Sequence, residues 1–309
     1  MIDALRYEIM RLRTIRSTYW LIGLALTFQV VMTMVIAWRL SVSSRPPSGD
    51  NAFDILATIG ASTGFAPLFI AYIIGLLGVF STGHEYRHGM IRATLTALPN
   101  RSCVFLAKII STALISALAA IACVLVALLG LVLFGLDMPS VEELASMTAG
   151  TTTFAVLFSL SGLAYAAMTR NQTAAVALVM LLPTVAEQII RAIVIAIKSA
   201  ADDPGEPSGI VTILKYLPYD AGGNMYTRAS LDDLLSFLGY TPFGPLGGGL
   251  VMAVFVGLLL AVQIIAMLMP AEAADTVAAA GPMALAVYIV LAIVAIFLDG
   301  KKRGPKPSA

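Results

Sequence analysis

An all-helical integral membrane protein with six crossings is the fold this sequence predicts, and three observations predict it. The 309 residues are 59% hydrophobic and only 12% charged, with a mean hydropathy of +0.91. A soluble domain of this size covers itself with far more charge, so lipid must be the solvent for much of this surface. Apolar runs close to the ~20 residues needed to cross a ~30 Å hydrocarbon core recur along the chain. Arginines cluster on alternate connections between them, as the positive-inside rule requires of a multi-pass protein.

The elements follow in order. In residues 1–18, Ile2, Leu5, Ile9 and Leu12 share one helical face while Asp3, Arg6 and Arg13 turn away, the pattern of an amphipathic helix lying in the inner headgroup plane. Apolar runs then cover 19–38, 62–82, 104–135, 151–169, 173–197, 248–269 and 283–298. The first is bracketed by Tyr19-Trp20 and Trp38, rings suited to the two interfaces, and reads as a span rather than a cleaved leader. Arg6, Arg11, Arg13 and Arg16 place the N-terminus in the cytoplasm. Alternation then puts 83–108, with Arg87, Arg92, Arg101 and Lys108, inside, and 136–150, whose only charges are Asp137, Glu142 and Glu143, outside. Arg170-Asn171-Gln172 returns inside.

Seven runs do not agree with a basic tail, Lys301-Lys302-Arg303, that should also stay inside. Six crossings satisfy the charge rule, with either 248–269 or 283–298 failing to cross. The organisation expected is therefore an interfacial helix over 1–18 and a transmembrane domain over 19–269. That domain has an inner loop at 83–108 and an outer lid at 199–247, and an extra apolar segment with a basic tail follows over 270–309. The lid, with Asp202-Asp203-Pro204-Gly205-Glu206-Pro207, has elements too short to fold alone. Cys103 and Cys123 read as buried thiols.

His84-Glu85-Tyr86-Arg87-His88 spells H-E-x-x-H, which on a helix can hold zinc between two imidazoles with the glutamate as general base. These are the only two histidines, so a third ligand would have to be a carboxylate, with Glu8, Glu272 and Asp275 as candidates. Gly83 and Gly89 weaken a helix there, and Arg87 places a cation beside the metal position. A zinc intramembrane protease is thus an alternative reading, with no metal site expected; a non-transporting scaffold or sensor is another. A net charge of +1 gives no footprint for nucleic acid.

The stretch GHEYRHGMIRATLTALPNRSCVFLAK has a second reading. It resembles the cytoplasmic loop between the second and third spans of ABC-2-type transporter permeases of the actinobacterial sort. The matching positions are Glu85, Tyr86, Arg87, Gly89, Ile91, Arg92, Pro99, Arg101 and Lys108, with Met90 where that family usually has Thr. EIMRLRTIRSTYW, Arg170-Asn171-Gln172-Thr173-Ala174, Pro183 with Glu187, and Leu217-Pro218-Tyr219-Asp220-Ala221-Gly222 are similar to further family positions, so the likeness runs over about residues 5–270. The resemblance implies a six-span ABC-2-type fold in the plasma membrane and the permease part of an exporter, with multidrug efflux among its roles. It implies two cytosolic ATP-binding subunits that carry ATP and magnesium, and a second permease copy or paralogue. It also implies that Glu85, Tyr86, Arg87, His88, Gly89, Ile91, Arg92 and Leu95 form the main coupling element, with Arg170 in a minor one. The chain has no G-x-x-x-x-G-K-[ST] phosphate loop of its own, and neither cofactor nor catalytic residue is expected in it.

Within the fifth run, Glu187 and Arg191 lie four apart on one face in the order that favours an ion pair. Each alone costs about 2.5–3.5 kcal/mol at mid-bilayer, so both should avoid lipid. With Pro183 kinking the helix a turn earlier, they are the expected pathway or gate residues.

Overall fold

The computed structural model describes residues 2–63, 68–87, 89–90, 101–199, 212–228 and 242–268. Every regular element among them is helical. In order they are α1 (Ile2–Thr14), α2 (Arg16–Ser41), α3 (Gly49–Thr58), α4 (Phe69–Arg87), α5 (Arg101–Leu133), α6 (Val141–Thr169), α7 (Gln172–Leu181), α8 (Glu187–Ser199), α9 (Pro218–Gly223) and α10 (Pro245–Leu268). A π turn, Leu182–Ala186, joins α7 to α8, and short 3-10 turns occupy Ala61–Thr63 and Ile213–Tyr216.

Five helical stretches are long and apolar enough to cross a membrane: α2, α5, α6, the continuous α7–α8 and α10. The chain is an all-helical multi-pass membrane protein. Helix α4 has 19 residues, and its last turn carries His84, Glu85 and Arg87. It sits at the centre of the bundle, packing most closely on α6 and also on α2, α5 and α7. Glycines make that approach possible, since a Cβ on Gly78 would overlap the Ser159 carbonyl and one on Gly75 would press into the Phe158 ring.

Two expectations about elements change. The buried face of α1 is Ala4, Glu8 and Leu12, while Ile2 is 82% exposed. Glutamate takes the inward position because the cations of Arg11 and Lys108 meet it there. Helix α6 begins at Val141, ten residues before the apolar run, because Ser140 caps it, its Oγ accepting from the Glu143 N–H, and Glu142 and Glu143 fill the positive first turn.

The turn between α6 and α7 is tight. Arg170 closes α6 in the left-handed region at φ 50°, and the Asn171 side chain caps α7 by accepting from the Thr173 and Ala174 N–H groups. The second extra-membrane stretch is not a free lid where it is described. Residues 214–226 are largely buried between α6, α8 and α10. A Cβ on Gly150 would overlap the Met225 carbonyl, and one on Gly248 the Ala221 carbonyl, so backbone meets backbone on both sides of this wedge. The lid residues 200–211 and 229–241, the apolar run 283–298 and the basic tail lie outside the described residues.

Candidate functional site

Four charged side chains meet at the Arg-rich end of the bundle. Glu8 and Arg11 come from α1, Glu85 from the last turn of α4, and Lys108 from the second turn of α5. Lys108 Nζ donates to Glu8 Oε1 at 2.7 Å and to Glu85 Oε1 at 2.6 Å. Arg11 Nη1 donates to Glu85 Oε1 at 2.6 Å, and its Nη2 lies 2.9 Å from Glu8 Oε2 and donates to the Ser81 carbonyl at 2.5 Å. Side-chain exposures are 0% for Glu8, 1% for Glu85, 3% for Lys108 and 9% for Arg11. Two carboxylates and two cations cancel, which is what makes a buried ionic cluster tolerable at all. The quartet ties α1 to α4 and α5.

This arrangement accounts for most of the H-E-x-x-H stretch. Glu85, expected in the coupling element, is 1% exposed and committed to two cations. The ring of His84 shares a hydrogen bond of 2.9 Å with Ser17 Oγ and lies 5.1 Å from the Phe80 ring. Among the described residues no group of three His, Cys, Asp or Glu side chains is placed to hold a metal. His88, Ile91, Arg92 and Leu95 lie outside the described residues. Gly89 takes φ 66°, the left-handed turn that ends α4 and that glycine adopts without strain.

Tyr86, Arg87, Arg170, Asn171, Gln172 and Thr173 rim a cleft of about 610 Å³ between the end of α4 and the α6–α7 turn, with Phe80 and Val176 at its floor. The structure thus brings Arg87 and Arg170 of the expected coupling set to one cleft.

At mid-bundle Glu187 and Arg191 remain close enough to interact, and further partners join them. Both residues reach for the wedge. Glu187 Oε1 accepts from the Tyr219 N–H at 3.0 Å and Oε2 from the Asp220 N–H at 2.8 Å, capping α9, which has no cap of its own. Arg191 pairs with the Asp220 carboxylate. Two backbone donors pointing at one carboxylate fix its orientation. Pro183 sits inside the π turn, which carries one residue more per turn and so rotates α8 relative to α7. Glu187, 6% exposed, consequently faces inward, while its neighbour Gln188 is exposed.

Tyr219 anchors the wedge. Its hydroxyl donates to Ser161 Oγ at 2.9 Å and shares a 2.8 Å bond with Tyr165 Oη. Phe158 and Phe255 pack edge-on to its ring with centroids 5.3 and 6.0 Å away. Ser161 is eight residues before the end of α6, so at 1.5 Å per residue the tyrosine tip reaches within roughly 12 Å of that end. Glu8, Lys108 and Tyr219 were not singled out as site residues by sequence. The available signal was a polar residue on an otherwise apolar face, seen for Glu8 among Ala4 and Leu12 and for Lys108 at the start of an apolar run.

The family of ABC-2 family transporter proteins has a model that matches residues 4–186, from α1 to the π turn. No curated protein matches the chain.

Proposed function

Because the chain belongs to the ABC-2 family of transporter proteins, and so is a membrane transport component, we propose that it is the permease half of an exporter driven by separate ATP-binding subunits. On this reading the N-terminus and the quartet end lie in the cytoplasm, and the membrane is the plasma membrane. Helix α4 makes the sixth crossing because it runs beside α6 at the bundle centre. Two permease chains, identical or paralogous, and two ATPases complete the machine, with ATP and magnesium on the ATPases. Exposed polar and small residues on one stripe of α7–α8, Thr184, Gln188, Ala192 and Ala196, give the pathway side, since a glutamine has no favourable place in lipid.

The observation that carries the proposal is the quartet. A partner that pushes on the segment after α4 moves a helix end to which α1 and α5 are bonded through Glu85, Arg11, Lys108 and Glu8. Three helices then respond as one body, and the stroke reaches the wedge through the close α4–α6 contact. Arg87 and Arg170 form the cationic rim that a partner's acidic groove would meet. Glu85 acts here as a positioning residue, not a contact. Glu187, Arg191 and Pro183 hold the outer gate closed through α9.

The test is copurification. Full-length tagged chain expressed in a host that encodes its neighbouring ATPase should retain that subunit, and Arg87→Glu with Arg170→Glu should release it while the permease stays folded in the membrane. Retention by the double variant would remove the cleft from the coupling surface. Absence of any ATPase from the wild-type preparation would overturn the proposal.

A further inference from the structure

At the other end of the bundle three elements converge on a buried acid. Asp54, on α3, is 5% exposed, and its Oδ1 has no hydrogen-bond partner. Its carboxyl lies within hydrogen-bond reach of Glu143 on the first turn of α6. Glu143 Oε1 in turn accepts from Arg228 Nε at 2.5 Å, and Arg228 Nη2 donates to Ser146 Oγ at 2.7 Å. The Arg228 backbone N–H donates to the Ser62 carbonyl at 2.8 Å. Through these three contacts Arg228 fastens its end of the wedge to α6 and to the 3-10 turn after α3. Asp50 also faces Asp54 from its own helix and accepts from the Ser140 N–H at 2.6 Å.

Two carboxyls this close cannot both ionise cheaply. With one proton between them, the pair carries one negative charge, and Arg228 cancels it. Without the proton a net negative charge is left in a dry contact. We propose that Asp54 and Glu143 form a shared-proton site that latches the Arg228 end of the wedge to α3 and α6, closed while the pair holds its proton and loosened when both are charged.

Burial first, and the Glu143 charge second, raise Asp54 from 3.8 to about 7, against the lowering by Arg228. In a loosened rim Asp54 is hydrated and returns to its ordinary value. A raised folded value means that closure takes up a proton. Its contribution is therefore complete below about pH 4, falls as pH rises, and is lost above about 7. The latch depends on the proposed orientation only for which compartment's pH it reads.

Ser62 is 3% exposed, and its carbonyl holds Arg228, so a cysteine there reports opening. The experiment uses the full chain with Cys103→Ala and Cys123→Ala in intact cells. A membrane-impermeant maleimide is added outside, and the labelling rate of Ser62→Cys is divided by that of Ser44→Cys, which is exposed. Between pH 5 and 8 the ratio should rise on the order of 100-fold, at tenfold per pKa unit until saturation. Asp54→Asn, which imitates the protonated form, should be flat, and Glu143→Gln, which removes the second cause of the raised value but not burial, should be shallower than the parent. A ratio that changes less than about threefold in the parent, or a slope in Asp54→Asn equal to the parent's, overturns the latch. If Ser44→Cys labels only after permeabilisation, the orientation falls instead, and the same slope measured in permeabilised membranes still decides the latch.

Discussion

Replacing Lys108 with methionine is the sharpest test of the ionic quartet. Methionine keeps most of the stem volume, so packing changes little, while Glu8 and Glu85 lose one of the two cations that bridge them, at 2.7 and 2.6 Å. Arg11 still contacts both, yet one guanidinium cannot neutralise two carboxylates that are 0% and 1% exposed. Leaving a buried charge uncompensated costs about 3–5 kcal/mol. Thermal unfolding of the purified chain in detergent should show it as a midpoint lowered on the order of 10 °C. Glu8→Gln with Lys108→Met restores neutrality around the Arg11–Glu85 pair, so the double variant should recover more than half of the loss. That non-additivity is the decisive reading, because two residues acting separately would add their losses. A midpoint within about 2 °C of wild type for Lys108→Met, or a double variant worse than either single one, would refute the reasoning.

Three further outcomes follow from the same contacts. Glu187→Gln keeps one acceptor for two backbone donors, so it should cost about 1–3 kcal/mol in unfolding measurements. It should also reduce export while leaving the permease assembled, and unchanged export would take Glu187 out of the gate. Gly78→Ala drives a Cβ into the Ser159 carbonyl, and the α4–α6 contact should fail, read as loss of folded protein in size-exclusion profiles; an unaltered profile would show that the helices can separate without penalty. His84→Ala removes the bond to Ser17 but no metal ligand set, so stability should fall by only about 0.5–1.5 kcal/mol and metal content should not change. Stoichiometric zinc lost in that variant would revive the protease reading.

Different parts of this fold were legible for different reasons. The crossings were readable because lipid imposes one rule on every lipid-facing position, and α2, α5, α7–α8 and α10 each obey it over ~20 residues. Helix α4 was readable as an apolar run, though its His84–Arg87 end dilutes the signal. The spacing of Glu187 and Arg191 is visible in sequence, whereas the N–H groups of Tyr219 and Asp220 that Glu187 also accepts from, about thirty residues on, are not. The protein-facing side of α1 was hidden for a related cause. Hydrophobic periodicity assumes that charge points outward, and Glu8 points inward because Arg11, Glu85 and Lys108 meet there only after α4 and α5 pack. In the coupling set, Arg87 and Arg170 converge on one cleft, while Glu85 sits behind them.

The two ends of the bundle are built to respond differently. At the quartet end two cations, Arg11 and Lys108, balance two carboxylates, Glu8 and Glu85, in one buried cluster that welds α1, α4 and α5 together. At the opposite end the fastening of the wedge relies on an acid whose proton comes off at about 7, within reach of ordinary pH changes. A machine that transmits force needs its input side rigid and its output side able to release. In the proposed exporter, a stiff weld at the quartet and a soft latch at the wedge would meet that need. If the sequence of events were reversed, with the rim rigid and the arginine-rich end yielding, Lys108→Met should be harmless and Asp54→Asn should destabilise the chain; the contacts at Glu85 and Arg228 require the opposite order.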